Sequence, residues 1–62
     1  MPPSSDEMIK RITEDGWYFV KQKGSHKHFK HPTKEGKVTI PSGRESLPKG
    51  TLKNIIKQAG LE

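Results

Sequence analysis

Lys21-Gln22-Lys23-Gly24-Ser25-His26-Lys27-His28-Phe29-Lys30-His31-Pro32 is the stretch that decides how this chain folds. From Ser25 to His31 the sole large apolar residue is Phe29, and side chains along a strand alternate between two faces. If Phe29 points into the core, Lys27 and His31 share its face, while His26, His28 and Lys30 look the other way. Gly24 stands where two strands turn back on each other. Before it, Trp17-Tyr18-Phe19-Val20 are all strand formers and run into Lys21, Gln22 and Lys23. Four successive apolar residues conceal which of them are buried. Beyond it, Pro32-Thr33-Lys34-Glu35-Gly36 has turn chemistry, and Lys37-Val38-Thr39-Ile40 alternates with Val38 and Ile40 on one side before Pro41 ends the strand. Three strands in succession make a meander.

Helical patterns flank the meander. Ser4 with Glu7 three residues later is a capping box, and it opens a segment in which Met8, Ile9 and Ile12 fall on one arc. This predicts an amphipathic helix from Ser5 to Glu14, with Gly16 as its stop. Asp6 to Lys10 and Glu7 to Arg11 are acid-before-base pairs four apart, each expected to add about 0.2–0.5 kcal/mol. Leu52, Ile55, Ile56 and Ala59 recur at helical spacing, predicting a second helix from Lys49 to Ala59 stopped by Gly60. Lys49, Lys53 and Lys57 flank that apolar arc as a stripe, and Ser42 to Leu47, without a period, reads as a loop. The expected fold class is α+β, a two-layer α-β-β-β-α domain with both helices on one face of a three-stranded antiparallel sheet. The other sheet face, carrying His26, is left in water.

With 62 residues, one domain over 1–62 is expected, with residues 1–4 and 62 frayed. Leu, Ile, Val and Phe number only 12, just under the roughly one-fifth share below which a strongly charged chain is suspected of disorder. A domain of this size buries only about 60% of the surface its unfolded chain exposes, so any site lies on the surface. No apolar run approaches the roughly 20 residues of a membrane span, and the opening residues lack a signal-peptide layout, so a cytoplasmic protein is expected, without membrane contact. Having no cysteine, the chain has no disulfide, thiolate metal site or cysteine nucleophile.

The net charge of +5 is concentrated. Lys21, Lys23, Lys27, Lys30, Lys34 and Lys37 face only Glu35 between residues 21 and 37, and the rest of the chain is neutral. All three histidines fall inside this stretch. Such a field suits a polyanion, nucleic acid being the commonest in cytosol, although a solvated hairpin could carry the same lysines.

Metal-dependent phosphoryl transfer needs gathered carboxylates, but the acids here are scattered over the first helix, two loops and the C-terminus. Ser25 and His26 are adjacent in a strand, so their side chains diverge and a serine triad fails. His26 and His28 share a face with His31 apart, a weak cage for a metal, and no metal or cofactor is expected. Metal-free RNA cleavage asks for less. The 2′-hydroxyl attacks the adjacent phosphorus once a base takes its proton, an acid protonates the departing 5′-oxygen, and cations stabilise the developing charge. Lysines around an imidazole favour its neutral, proton-accepting form, and Gly24 lets an RNA backbone come close. A histidine on a basic surface is equally compatible with no catalytic role.

At Gly24-Ser25-His26, followed by Phe29 and Pro32, the sequence resembles the HicA toxin family. The longer stretch Asp15-Gly16-Trp17 through Pro32 is similar to that family's central signature, and Lys49-Gly50-Thr51-Leu52 with Ile55, Ile56 and Gln58-Ala59-Gly60 resembles its closing helix. The likeness runs from about Ser5 to Leu61. It implies a fold like a double-stranded-RNA-binding domain, the toxin role in a type II toxin–antitoxin system, endoribonuclease activity on mRNA leading to growth arrest, and a HicB-like antitoxin that blocks the active face. It also implies that His26 is catalytic. Lys21 stands where an arginine is usual, which keeps the charge but loses a planar, bidentate phosphate grip. Ser42-Gly43 follows Pro41 where a histidine is common, so no assisting role transfers there.

The expected site is therefore His26 as general base or acid, His28 as candidate assisting group, and Lys21, Lys23, Gly24, Ser25, Lys27 and Lys30 as RNA-binding residues. A non-catalytic RNA-binding module of the same fold, or a domain whose basic face meets only an acidic protein, would share these features.

Overall fold

The computed structural model describes residues 2–61; Met1 and Glu62, within the stretches expected to fray, lie outside the described residues. Helix α1 spans Ser5–Glu14, strands β1, β2 and β3 span Tyr18–Lys23, His26–Lys30 and Val38–Pro41, and helix α2 spans Lys49–Ala59. The strands form an antiparallel sheet in the order β1-β2-β3. Both helix spans coincide with the sequence expectation, and the strands differ from it by a residue or so at their ends.

Helix α1 begins as the capping box predicts. Ser4 Oγ accepts from the Glu7 N–H and Glu7 Oε1 accepts from the Ser4 N–H, both at 3.1 Å. Two orphan amides of the first turn are thereby satisfied, and Asp6 and Glu7 add negative charge at the positive end of the helix. Met8 and Ile12 are buried and Ile9 is half-buried against the core. The anticipated Asp6–Lys10 and Glu7–Arg11 pairs do not form. Among the described residues the only ion pair is Lys34–Asp15, because Glu7 turns back to cap the helix and solvated side chains gain little by pairing.

Ser5, which no spacing or period singles out, is buried at the start of α1. Its hydroxyl donates to Pro41 O at 2.5 Å and accepts from the Arg44 N–H at 3.0 Å, while the Ser5 N–H donates to Arg44 O. The Leu47 N–H reaches Pro3 O in the same seam. These bonds tie the helix start to the end of β3 and to the loop after it. Leu47 is thus core, 1% exposed, although its loop shows no period.

Both helices lie against β3. Met8, Ile12, Trp17, Phe29, Val38, Ile40, Leu47, Ile55 and Ala59 form the core between helices and sheet. Helix α2 has no side-chain cap at Pro48, and it is held by Ile55 and Ala59 on its inner face. It closes with Gly60 left-handed at φ 68° and with the Gly60 and Leu61 N–H groups both donating to Ile56 O. The helices lie chiefly over β3, and β1 packs mainly on β2. Phe19 pairs with Phe29, ring centroids 5.9 Å apart, yet stays 54% exposed, as do Tyr18 and Val20 beside it to similar extents.

His31 shares the inner side with Phe29, as parity predicts, and there it acts as a latch. Its Nδ1 accepts from the N–H groups of Thr33 and Lys34, both at 3.1 Å, so Nε2 carries the ring proton and donates to Asp15 O at 2.8 Å. The ring also meets Trp17 edge-on at 5.2 Å. Next to it Lys34 Nζ reaches Asp15 Oδ2 at 2.5 Å and Ala59 O at 3.1 Å, joining the ends of both helices to the β2–β3 turn. The Lys34 ammonium holds the Asp15 carboxyl below its ordinary pKa. The buried Trp17 Nε1–H leans toward the same carboxylate and helps to lower that pKa, without reaching hydrogen-bond geometry with any described residue. No helix among the described residues is long and apolar enough to cross a membrane.

Candidate nucleic-acid interface

The outward sheet face is set by the register. Lys23 lies opposite His26, Lys21 opposite His28 and Tyr18 opposite Lys30, while His26 faces Pro41 and His28 faces Thr39 on the other side. Phe29–Val38 and Lys27–Ile40 occupy the inner face. His26, His28 and Lys30 therefore project away from the helices together with Lys21 and Lys23. Lys27 does not join them: it lies on the inner face with Gln22 and Ile40. Gly24 and Ser25 form the β1–β2 turn. Gly24 takes φ 59°, where a side chain is disfavoured, and its carbonyl accepts from Gln22 Nε2. Ser25 O accepts from the Ser42 N–H, pinning the turn to the chain after β3.

His26 is exposed and makes no side-chain hydrogen bond among the described residues, so both ring nitrogens are open to a ligand. His28 is half-buried. Its Nδ1 lies 3.3 Å from Thr39 Oγ1, which orients the ring and leaves Nε2 free. Burial first, then Lys37, Lys21, His26 and Lys23, lower the His28 pKa below the ordinary histidine value. The shift favours the neutral, proton-accepting form of the ring. With a rise of 3.3–3.4 Å per strand residue, the two imidazoles are based about 7 Å apart on one face, close enough for both rings to reach toward a group bound between them.

A bulge between Phe19 and Lys21 shapes the face further. It sets Val20 and Lys21 beside His28 and opens a recess of about 300 Å³ lined by Val20, Lys21, His28, Phe29, Lys30 and Lys37. Val20, Lys37 and Thr39 were not among the site residues expected from sequence. The parity of Val38 places Lys37 and Thr39 on the outer face, so that signal was present; the bulge at Val20 left none. No three His, Asp or Glu side chains come together among the described residues. His31, the third histidine of the basic stretch, is engaged on the other side of the sheet.

The family model for the HicA toxin of bacterial toxin–antitoxin systems matches residues 5–61. The chain belongs to the HicA toxin family. Among solved structures, a chain of a toxin–antitoxin complex from Streptococcus pneumoniae is similar to this HicA-family protein at 37% identity and a TM-score of 0.79, covering 95% of this chain and 98% of that one. No curated protein sequence matches as a relative. HicA membership and the two-layer fold agree, and the matched residues include the whole β1–β2 hairpin that carries the outward histidines.

Proposed function

We propose that this HicA-family toxin is a metal-independent endoribonuclease that cuts mRNA, with His26 as its proton-transfer group, and that a HicB-like antitoxin silences it by covering the same sheet face. The carrying observation is His26 itself: an imidazole without a hydrogen-bond partner among the described residues, on the outer face, opposite Lys23 and one strand repeat from His28. A phosphodiester laid along β2 meets His26 near one of its oxygens and His28 near the other. One imidazole takes the 2′-hydroxyl proton as that oxygen attacks phosphorus, and the other gives a proton to the departing 5′-oxygen. The products are a 2′,3′-cyclic phosphate and a 5′-hydroxyl. Lys21, Lys23 and Lys30 hold the phosphates and stabilise the charge that builds on the phosphorane. Gly24 and Ser25 leave the turn open for the RNA backbone. Lys27, from the inner face, contributes long-range charge only.

The carboxylates support a route that uses the RNA's own hydroxyl. Asp6, Glu7 and Glu14 belong to α1, Asp15 is tied to Lys34, Glu35 and Glu45 stand singly in the segments after β2 and β3, and no three His, Asp or Glu side chains gather among the described residues. RNA carrying a single 2′-deoxy nucleotide at the cleavage site should resist cutting there while its neighbours are still cut. Cleavage that persists at the deoxy position overturns the mechanism. RNA binding with steep salt dependence but no products, in wild type and His26→Ala alike, would instead make the domain a non-catalytic RNA-binding module.

A further inference from the structure

We propose that the recess beside the β1 bulge binds one nucleotide of single-stranded RNA next to the cleaved phosphodiester, its base against Val20 and its phosphate on Lys21, Lys30 and Lys37. The inference rests on the ribonuclease reading and assigns that site a subsite.

The recess combines two chemistries that a simple phosphate patch does not need. Lys21, Lys30 and Lys37 bring three ammonium groups around one opening, enough to hold a phosphate and repel cations. Inside, the exposed Val20 supplies an apolar wall, Phe29 being turned to the core on the opposite face, and a free phosphate gains nothing from such a surface. A nucleotide presents both at once, a flat weakly polar base and an anion one sugar away. The volume, about 300 Å³, sits at the lower end of small-ligand sites, which span roughly 300–1,000 Å³. That suits one nucleotide. A duplex would not fill it, since bases stacked in a helix cannot enter a recess whereas those of a single strand can splay out. His28 stands at the boundary. With Nδ1 taken up by Thr39, its Nε2 is free to meet the base or the neighbouring phosphate, and the lysines around it disfavour a fourth positive charge in the recess.

The bulge makes the recess. In a regular ladder Val20 would have taken the place opposite His28 that Lys21 holds. The extra residue puts both beside the histidine, so an exposed valine on an outer strand, 44% accessible, serves as a wall.

The test uses the His26→Ala protein as a binding-competent parent, with fluorescence anisotropy of a labelled single-stranded RNA hexanucleotide and, separately, of a polyphosphate of matched charge. Lys37→Ala should weaken RNA binding about fivefold, the loss of one solvated ionic contact, and reduce the slope of log affinity against log salt by about 0.7. Val20→Ser should weaken RNA binding and leave polyphosphate binding unchanged. Lys53→Ala, on the outer side of α2, should alter neither. Lys37 precedes β3 on the surface, so its variant reads out even if Val20→Ser unsettles the strand. RNA affinities of Lys37→Ala and Val20→Ser equal to the parent overturn the subsite. So does loss of antitoxin binding by both variants with RNA binding intact, which would place a protein in the recess. The two proposals fail separately: undiminished cutting by His26→Ala removes the catalytic reading but not an RNA subsite, whereas unchanged binding by the recess variants, with His26→Ala inactive, removes the subsite alone.

Discussion

The three histidines of one short basic stretch have three different fates, decided by which face each occupies and what meets its ring nitrogens. His26 is open, His28 is oriented by Thr39, and His31 is locked between Asp15 O and the turn after β2. Alternation around Phe29 was enough to separate His31 from the other two in the sequence. Its latch was not legible, because the partners are backbone groups at sequence distances no spacing rule links. Gly16 belongs to this latch. It takes φ 108°, and a Cβ there would stand 2.7 Å from His31 Nε2. Gly16→Ala should therefore lower the free energy of unfolding in urea by about 1–3 kcal/mol; an unchanged midpoint would show that the latch yields freely. His28 gives a pH prediction. Its folded pKa lies below the unfolded value of about 6.5, so the unfolded chain binds more protons and stability falls as pH drops through that value. His28→Gln should lessen the fall in Tm between pH 7 and pH 5. Asp15, whose folded pKa is lowered by Lys34, acts in another window, its contribution being present at neutral pH and lost only as pH falls below about 4. A Tm profile just as steep in His28→Gln would contradict this assignment.

At the scale of elements, the helices were readable because cap, period and stop agree. Ser4, Met8, Ile12 and the turn at Gly16 all point to one span, as do Leu52, Ile55, Ala59 and Gly60 for the other. Ser4→Ala should cost about 1 kcal/mol by removing the α1 cap, and no change in urea midpoint would mean that the seam at Ser5 holds the helix start unaided. Strands β2 and β3 were readable from single apolar markers, Phe29 in one and Val38 with Ile40 in the other. Strand β1 was not. Four apolar residues in a row admit either register, and only the sheet shows that Trp17 enters the core before the strand begins, that Phe19 faces inward without cover, and that Val20 sits in a bulge. The loop from Ser42 to Leu47 hid Leu47 for a related reason: a residue buried from a loop has no period to betray it. Lys34 and Ser5 were invisible as ties because a lysine reads as charge and a serine as a cap until their partners across the fold are known.

The whole molecule reconciles a sparse core with a large net charge by keeping them apart. Among the described residues nine buried apolar side chains lie between the helices and the sheet, and most of the surplus lysines crowd around the outer face and its edges. That separation is why a chain with the composition of a marginal folder still has a two-layer fold. It also concentrates the field where a polyanion would bind. A partner that recognises only the folded state adds stability by mass action, so a HicB-like antitoxin at 100 times its dissociation constant should raise stability by about 2.7 kcal/mol, seen as a higher Tm in the complex. Whether His26 moves the proton in metal-free RNA cleavage is read most simply from cutting of a labelled RNA, with EDTA present, by the wild-type protein and by His26→Ala. The wild type should cut in EDTA, and His26→Ala should be slower by about 10²–10⁴-fold while keeping its circular dichroism spectrum and its antitoxin binding. Full activity in His26→Ala would take the proton transfer away from His26, and wild-type activity abolished by EDTA would make the cleavage metal-dependent.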